Sequence, residues 1–431
     1  MKLFNIKLSS MICFILLVFG RPVFAQVDTT TIHKKSISLA AFLETVKTGN
    51  LGYAAEKFNV SIARAEVLGA KVFPDPELSF GLEDVGERRM KMGYAFNSGL
   101  SYNLELGGKR KARINIAGRQ AELSELMLSD YFRNLQAEAA IAFLEVQTQR
   151  DLLKVKISSY EKMKQLSTAD SIRFRLGAIT AVDARQSRLE AAGQLNEVFQ
   201  QEADWRIALA GLNQISGTAD DKSGNPAADL LAFDREFKLQ ELIISALNHR
   251  ADLQAAIKNR ELSQGMLQLA KANRIIDLGI SAGVTASSVV ANSVAPTPSS
   301  GSFTLGMSIP LKFSNRNKGA LISAAYQADQ TVVQYRETEL QIQTEITQAY
   351  FNYLTTRKQV KQFSCGMLED AREVRDGKIY SYKRGETSLL EVLNAQRTFN
   401  EVQQNYLETL KNNAVALVSL EKAAGIWDLN L

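Results

Sequence analysis

The stretch YAFNSGLSYNLELGGKRKAR, residues 94–113, changes from one structural pattern to another at a pair of glycines. Up to position 106, apolar residues alternate with polar or small ones, which is the period-two pattern of a β-strand with one apolar face. The apolar positions are Tyr94, Phe96, Leu100, Tyr102, Leu104 and Leu106. After Gly107 and Gly108, the basic cluster of Lys109, Arg110, Lys111 and Arg113 opens a helical pattern. The stretch therefore predicts a strand that turns directly into a helix.

The same pattern occurs again in the second half of the chain. At a constant offset of 207, Phe96 aligns with Phe303, and the preceding strands align at an offset of 200, with Leu78 matching Leu278. The sequence therefore predicts one domain over residues 26–431 that consists of two repeats. The predicted units are repeats at about 36–217 and 236–425 and β-hairpins at about 76–106 and 276–313.

Long helical patterns surround each hairpin. They cover 36–72 and 237–274 before the hairpins, and 109–213 and 316–424 after them. The run from Ile114 to Arg175 would be on the order of 90 Å long at 1.5 Å per residue. Apolar residues recur at steps of seven from Leu389 and from Val392, which is typical of a diluted coiled-coil seam. Helices of this length need other helices beside them.

Two β-hairpins cannot close a barrel, because four strands leave two open edges. In a membrane, those edges must find hydrogen-bond partners. Three chains would supply twelve strands, with apolar side chains facing lipid and Ser, Asn, Thr and Gly facing water. The simplest closed assembly is therefore a homotrimer.

Two similar turns connect the paired long helices, at about 174–181 and 382–389. Each contains a glycine suited to the left-handed position that ends a helix, Gly177 in the first and Gly385 in the second. After the glycine, each turn contains a hydroxyl residue followed three positions later by an acidic residue. This spacing predicts a capping box at the start of the next helix. The boxes are Thr180 with Asp183 and Ser388 with Glu391.

The first 25 residues have the features of a secretory signal peptide. Lys2 and Lys7 precede an apolar run at 11–20, and small residues stand before a cleavage site at Gln26. Cleavage removes three basic residues and no acidic one, so the net charge of +5 falls to +2. A nearly neutral, exported chain does not have the basic surface that nucleic-acid binding requires.

These features together resemble the TolC-type outer-membrane factors over nearly the whole mature chain. The motifs PDPELSFGLEDV, residues 74–85, and LELGGKRKARINIA, residues 104–117, further resemble the CzcC-like branch, which serves heavy-metal efflux pumps. The resemblance implies an α/β membrane protein with duplicated long helical hairpins and two β-hairpins per chain. Three chains would form a 12-stranded β-barrel in the outer membrane of a Gram-negative bacterium, continuous with a periplasmic α-helical barrel.

The resemblance also implies partners and site residues. The partners are a periplasmic adaptor protein, an inner-membrane pump of the RND type and outer-membrane lipid, and no cofactor is implied. The implied adaptor-docking residues are Gly177, Thr180, Asp183, Gly385, Ser388 and Glu391. The implied gate consists of Tyr382 with Asp183 and Glu391. The alternative is that both carboxylates are only helix caps, and the two roles can coexist. Thr387 and Asn394 depart from the pattern, because some members have a gate-locking arginine and a second acid there.

The junction between barrel and helix contains Gly107, Gly108, Lys109 and Arg110. The glycines allow the chain to turn out of the barrel. Two interpretations of the basic cluster stay open at this point. Its side chains either contact lipid phosphates or are simply solvated.

The sequence does not predict an enzyme or a metal centre. The mature chain has only His33 and His249, and its one cysteine, Cys365, is expected to pack inertly against a neighbouring helix. Met90 and Met92 are its only closely spaced methionines. Two alternatives to a metal-efflux duct remain. One is a TolC-type duct for drugs or for type I protein secretion, and the other is a soluble periplasmic coiled-coil scaffold.

Overall fold

The computed structural model describes residues 36–84, 93–218, 225–311 and 316–428. The expected signal peptide, His33, Met90 and Met92 lie outside these ranges. The first repeat contains β1 (Ser36–Ile37), α1 (Leu39–Gly49), α2 (Leu51–Ala70), β2 (Glu77–Asp84), β3 (Tyr94–Leu104), α3 (Lys109–Arg175) and α4 (Ala181–Ser216). The second contains β4 (Asn225–Pro226), α5 (Leu239–His249), α6 (Ala251–Ala272), β5 (Leu278–Ser287), β6 (Ser300–Ser308), α7 (Lys318–Gln362), α8 (Leu368–Lys383) and α9 (Leu389–Ala424).

The long helices form two antiparallel hairpins. In the first, the 67-residue helix α3 packs along α4. In the second, α7 and α8 together run beside α9. The helical pattern over this part of the second repeat is not one continuous helix, because a π-helical turn at Phe363–Met367 separates α7 from α8. Gly366 has a φ of 109° there, which an α-helix does not accommodate.

The shorter helical patterns are also interrupted, each by one residue in an extended conformation. Asn50 ends α1 and begins α2, and its side-chain oxygen accepts a hydrogen bond from the Tyr53 N–H at 2.7 Å. Arg250 has the same place between α5 and α6. Each of the helical patterns over 36–72 and 237–274 is therefore a pair of helices.

One antiparallel sheet contains β2, β3, β5 and β6 in that spatial order. Its apolar face is highly exposed in the protomer, with Leu82 at 74% and Leu305 at 72% of full exposure. The opposite face contains Ser79, Asn97 and other small or polar residues. The strands β2 and β6 form the two edges of this sheet.

The pairing of the strands corrects the offset between the repeats. Phe80 lies opposite Ser98 in the first hairpin, and Ala282 lies opposite Leu305 in the second. The residues after α2 and α6, Lys71 and Asn273, are 202 positions apart. The two strand pairs and the helix ends all agree with an offset of 202 between β2 and β5 and of 207 between β3 and β6. The predicted offset of 200 between β2 and β5 does not agree with them. Shifting a strand by two residues keeps its apolar face, so the apolar pattern alone did not detect the error.

The main hydrophobic core lies where α1 and α5 cross the long helices. Phe42 of α1 packs against Phe143 of α3, with ring centroids 5.6 Å apart. Trp205, Phe233 and Tyr353 are almost fully buried in the same cluster. Within the described ranges, no helix combines the length and the hydropathy that crossing a membrane requires.

Glu421, near the end of α9, is a buried carboxylate at the edge of this core. It is 2% exposed, and its Oε1 lies 3.2 Å from Nη1 of Arg235. Burial raises the pKa of Glu421 to about 7, although the positive charge of Arg235 opposes the shift. The folded protein therefore binds this proton more tightly than the unfolded chain does.

Replacing Glu421 with glutamine is expected to reduce the pH dependence of stability. Because the folded-state pKa is raised, the wild type should lose stability as the pH rises from about 4.5 through about 7. The loss should approach about 3 kcal/mol, at 1.36 kcal/mol per pKa unit. The loss is measured from the thermal unfolding midpoints in detergent at pH 5 and pH 8. If the midpoint changed equally between these two pH values in the wild type and in Glu421→Gln, Glu421 would not be the group responsible.

Candidate functional site at the helical tips

The first tip joins α3 to α4. After α3 ends, Gly177 takes a φ of 74°, and the Ala178 N–H donates to the Arg173 carbonyl at 2.9 Å. These bonds satisfy carbonyl groups that the end of a helix leaves without partners. Thr180 then begins α4, and its Oγ1 accepts a hydrogen bond from the Asp183 N–H at 3.1 Å.

The second tip repeats this geometry between α8 and α9. Gly385 has a φ of 82°, and the Glu386 N–H donates to the Ser381 carbonyl at 3.0 Å. Ser388 begins α9, and its Oγ accepts a hydrogen bond from the Glu391 N–H at 3.4 Å. The local sequence therefore produces the same turn twice, as its repeated glycine and hydroxyl positions predict.

The two acidic side chains at the tips make contacts that differ from those of a complete capping box. The Asp183 carboxylate accepts a hydrogen bond from the hydroxyl of Thr180 at 2.7 Å. The Glu391 carboxylate forms an ion pair with Lys378 of α8 at 2.7 Å. Neither contact is the return bond to the cap backbone that the motif predicts. Glu391 thus links the two helices of its own hairpin.

Tyr382 connects the two helical hairpins. Its hydroxyl donates to Oδ1 of Asp170 on α3 at 3.0 Å, and both side chains are buried. Arg173, one turn further along α3, lies over the Tyr382 ring at 4.8 Å and donates to the Tyr382 carbonyl at 3.4 Å. Asp170 and Arg173 are residues that the sequence analysis did not identify. Both lie in the last two turns of the long polar helix α3, where no local pattern distinguishes them.

Burial keeps the Tyr382 hydroxyl protonated. It raises the pKa of Tyr382 far above the usual value, and the negative charge of Asp170 acts in the same direction. The phenol is therefore a hydrogen-bond donor throughout the physiological pH range. Burial also raises the pKa of Asp170, although the hydrogen bond from Tyr382 opposes this shift.

A cavity of about 330 Å³ lies beside this bond, between α3 and the second hairpin. Its walls include apolar side chains from Met163, Ile379 and Val392. Asp170 also lines it, and within the described chain its Oδ2 has no hydrogen-bond partner. Tyr382 belongs to a small apolar cluster that is separate from the main core. A small separate cluster can open without unfolding the rest of the molecule.

The junction residues form a second group, at the other end of α3. Lys109 is buried, and its Nζ lies 2.6 Å from Oδ2 of Asp277, the residue before β5. Arg110 donates two hydrogen bonds to the Lys71 carbonyl and lies over the Phe73 ring at 3.9 Å. Buried Lys109 therefore neither contacts lipid nor is simply solvated, whereas Arg110 is only partly buried and both interpretations remain predictions for it. Gly107 and Gly108 both have a φ of 74°, which fits the sharp turn predicted for them.

The Outer membrane efflux protein family model matches residues 51–218 and 242–426. The chain belongs to this family. It is therefore a component of an outer-membrane efflux channel, located in the outer membrane of a Gram-negative bacterium with a large periplasmic part. Both long helical hairpins and both strand pairs lie within the matched residues.

The relatives are named for different compounds. The chain is 24% identical to the cobalt-zinc-cadmium resistance protein CzcC of Cupriavidus metallidurans, over 90% of both chains. It is also 24% identical to the pyoverdine export outer membrane protein OpmQ of Pseudomonas aeruginosa, over 87% of this chain and 82% of that one. The crystal structure of CusC matches with a TM-score of 0.74 at 17% identity, over 90% of this chain and 92% of that chain. The predicted fold class and family resemblance are confirmed.

The remaining histidine and cysteine positions do not form a metal site in the described part of the chain. In the described part of the chain, no three His, Cys, Asp or Glu residues group in a way that would hold a metal ion. Cys365 is exposed in the π-helical turn, so the expectation that it packs against a neighbouring helix is wrong. His249 lies at the end of α5, with Nδ1 3.0 Å from the Ser245 carbonyl.

Proposed function

We propose that three copies of this chain form the outer-membrane duct of a tripartite efflux system. The duct conducts substrate passively, after an adaptor protein and an inner-membrane pump of the RND type have delivered it. Family membership and the exposed apolar face of the sheet support this assignment. That face suits lipid, and its small and polar opposite face suits a water-filled interior.

The hydrogen bond between Tyr382 and Asp170 carries the proposal for gating. It joins α8 of the second hairpin to α3 of the first, within a few turns of both tips. Moving the second hairpin outward would break this bond and the contact of Arg173 with the Tyr382 ring. The closed duct is therefore held by a polar latch, defined as Tyr382, Asp170 and Arg173.

The tips are proposed to receive the adaptor. The docking residues remain Gly177, Thr180, Asp183, Gly385, Ser388 and Glu391. Three large apolar side chains near them are also exposed: Leu176 at 77%, Val182 at 69% and Leu390 at 61%. Exposed apolar side chains among polar ones are typical of a surface that binds another protein. Adaptor contact there is positioned to move α8 and α9, and so to open the latch.

Heavy-metal cations are the proposed substrate class, because of the similarity to CzcC over 90% of both chains. A growth panel of a deletion strain tests this directly. It compares zinc, cobalt, cadmium, copper and silver with dyes, detergents and antibiotics. Sensitivity restricted to metals supports the proposal. Sensitivity to organic compounds alone would favour the second candidate, an organic-export duct, which the similarity to OpmQ supports.

Glu391→Gln is expected to lower the preference of the duct for cations. Three Glu391 carboxylates near the opening would attract cations, and their removal also leaves the Lys378 charges without partners. The cation-to-anion permeability ratio should fall by roughly two- to tenfold. Reversal potentials in planar bilayers under a salt gradient measure this ratio.

Glu386→Gln provides a matched control. Glu386 lies at the same tip and forms an ion pair with Arg384 at 3.1 Å. If both variants lower the ratio equally, the effect belongs to the general charge of the tip. If neither does, Glu391 acts only on the stability of its own hairpin.

A further inference from the structure

We infer that Lys318 of one copy pairs with Asp75 of the next, and that Leu305 lies opposite Leu82 in the seam between the copies. The seam is where β6 of one copy meets β2 of the next in the proposed trimer. The inference rests on the proposed trimer and specifies how its copies meet.

The joint between the two repeats of one chain has three parts. The strands β3 and β5 pair antiparallel along their length, with Ser98 opposite Val284. Where the strands end and the helices begin, Lys109 at the start of α3 pairs with Asp277. Beyond this ion pair, α3 packs against α6. All three parts join the first repeat to the second.

Each part has an equivalent at the outer edges of the chain. Lys109 follows Gly108, which has left-handed backbone geometry and precedes α3. Lys318 follows Asn317, which has the same geometry and precedes α7. Asp277 lies four residues after Asn273, and Asp75 lies four residues after Lys71, each following the end of its helix.

These edge positions are open in the protomer. Both Lys318 and Asp75 are exposed, and they have opposite charges. The edge helices also expose large apolar side chains, including Phe58 and Ile62 of α2 and Tyr326 and Val333 of α7. Inside the chain, α3 packs against α6. The equivalents of these two helices in the other repeat are α7 and α2, so α7 of one copy is expected to pack against α2 of the next. A second copy is therefore the occupant that fits this edge.

The internal pairing also fixes the register of the seam. With offsets of 202 and 207, the pair Ser98 and Val284 becomes Leu305 and Leu82. Leu305 of one copy should thus lie opposite Leu82 of the next. The neighbouring pairs are Met307 with Phe80 and Ile309 with Leu78. All of these side chains lie on the exposed apolar face, so the register also keeps that face continuous.

Disulfide cross-linking tests the register in the full-length protein, with Cys13 and Cys365 replaced by serine. Leu82→Cys with Leu305→Cys should give oxidised dimers and trimers on non-reducing gels, because directly opposed residues can form disulfides. Leu82→Cys with Ile309→Cys, displaced by four residues, should not. Ser98→Cys with Val284→Cys is the internal control and should form a disulfide only within one chain.

Charge exchange tests the ion pair. Lys318→Asp and Asp75→Lys should each reduce the fraction of trimer in mild detergent, and the double variant should restore it. Trimers that cross-link in the displaced register, or trimers unaffected by either charge reversal, would overturn the inference while leaving the proposed duct intact. Protein that remains monomeric in membranes, with the internal control disulfide formed, would overturn the trimer itself.

Discussion

Replacing Asp277 with alanine is expected to destabilise the junction between sheet and helix severely. Its Oδ2 lies 2.6 Å from Nζ of Lys109, whose side chain is 7% exposed, and its Oδ1 accepts a hydrogen bond from the Leu106 N–H at 3.0 Å. The substitution leaves a buried ammonium group without its carboxylate. Breaking a buried ion pair by removing one partner costs about 3–5 kcal/mol.

The measurements are the thermal unfolding midpoint in detergent and the amount of protein in the outer-membrane fraction. Both should fall for Asp277→Ala. Glu44→Ala is the matched control, since Glu44 forms an exposed ion pair with Lys47 at 3.9 Å and should change little. Replacing Lys109 with methionine and Asp277 with leucine together should recover much of the loss. If Asp277→Ala alone behaves like Glu44→Ala, the ion pair does not stabilise the junction.

Features determined by local sequence were predictable. The two tips follow from a glycine and a hydroxyl at fixed spacing, and the structure places Gly177 and Gly385 in left-handed geometry at both. The strand β3 follows from an alternation over residues 94–104 that only Ser98 interrupts. Each of these features depends on a few neighbouring residues, whose conformational preferences are visible in the sequence itself.

Features determined by distant contacts were not predictable. Lys109 and Asp277 are 168 positions apart, and Asp170 and Tyr382 are 212 apart. A single aspartate in a polar helix such as α3 resembles a solvated residue until the packing of the second hairpin buries it. The helix breaks at Asn50 and Gly366 were missed for a related reason. One residue with altered backbone geometry scarcely changes an apolar pattern that continues on both sides.

Tyr382→Phe is expected to shift the duct toward its open state. The substitution keeps the ring in its apolar cluster but removes the hydroxyl that donates to Asp170. A hydrogen bond to a charged group contributes about 1.5–3 kcal/mol. Losing it should raise the open population by about tenfold to a hundredfold for each copy that opens independently, at 1.4 kcal/mol per factor of ten. The open probability of single channels in planar bilayers measures this change.

Two variants separate the latch from a general effect at the tip. Tyr380→Phe removes a hydroxyl two residues away, on a side chain that is 61% exposed, and should leave the open probability unchanged. Asp170→Asn keeps an oxygen that accepts the Tyr382 hydrogen bond but removes the charge near Arg173, so it should fall between the wild type and Tyr382→Phe. If Tyr382→Phe and Tyr380→Phe gave the same conductance trace as the wild type, the hydroxyl of Tyr382 would stabilise the protomer in both states. Gating would then have to depend on the contacts of Arg173 or on the ion pair between Lys378 and Glu391.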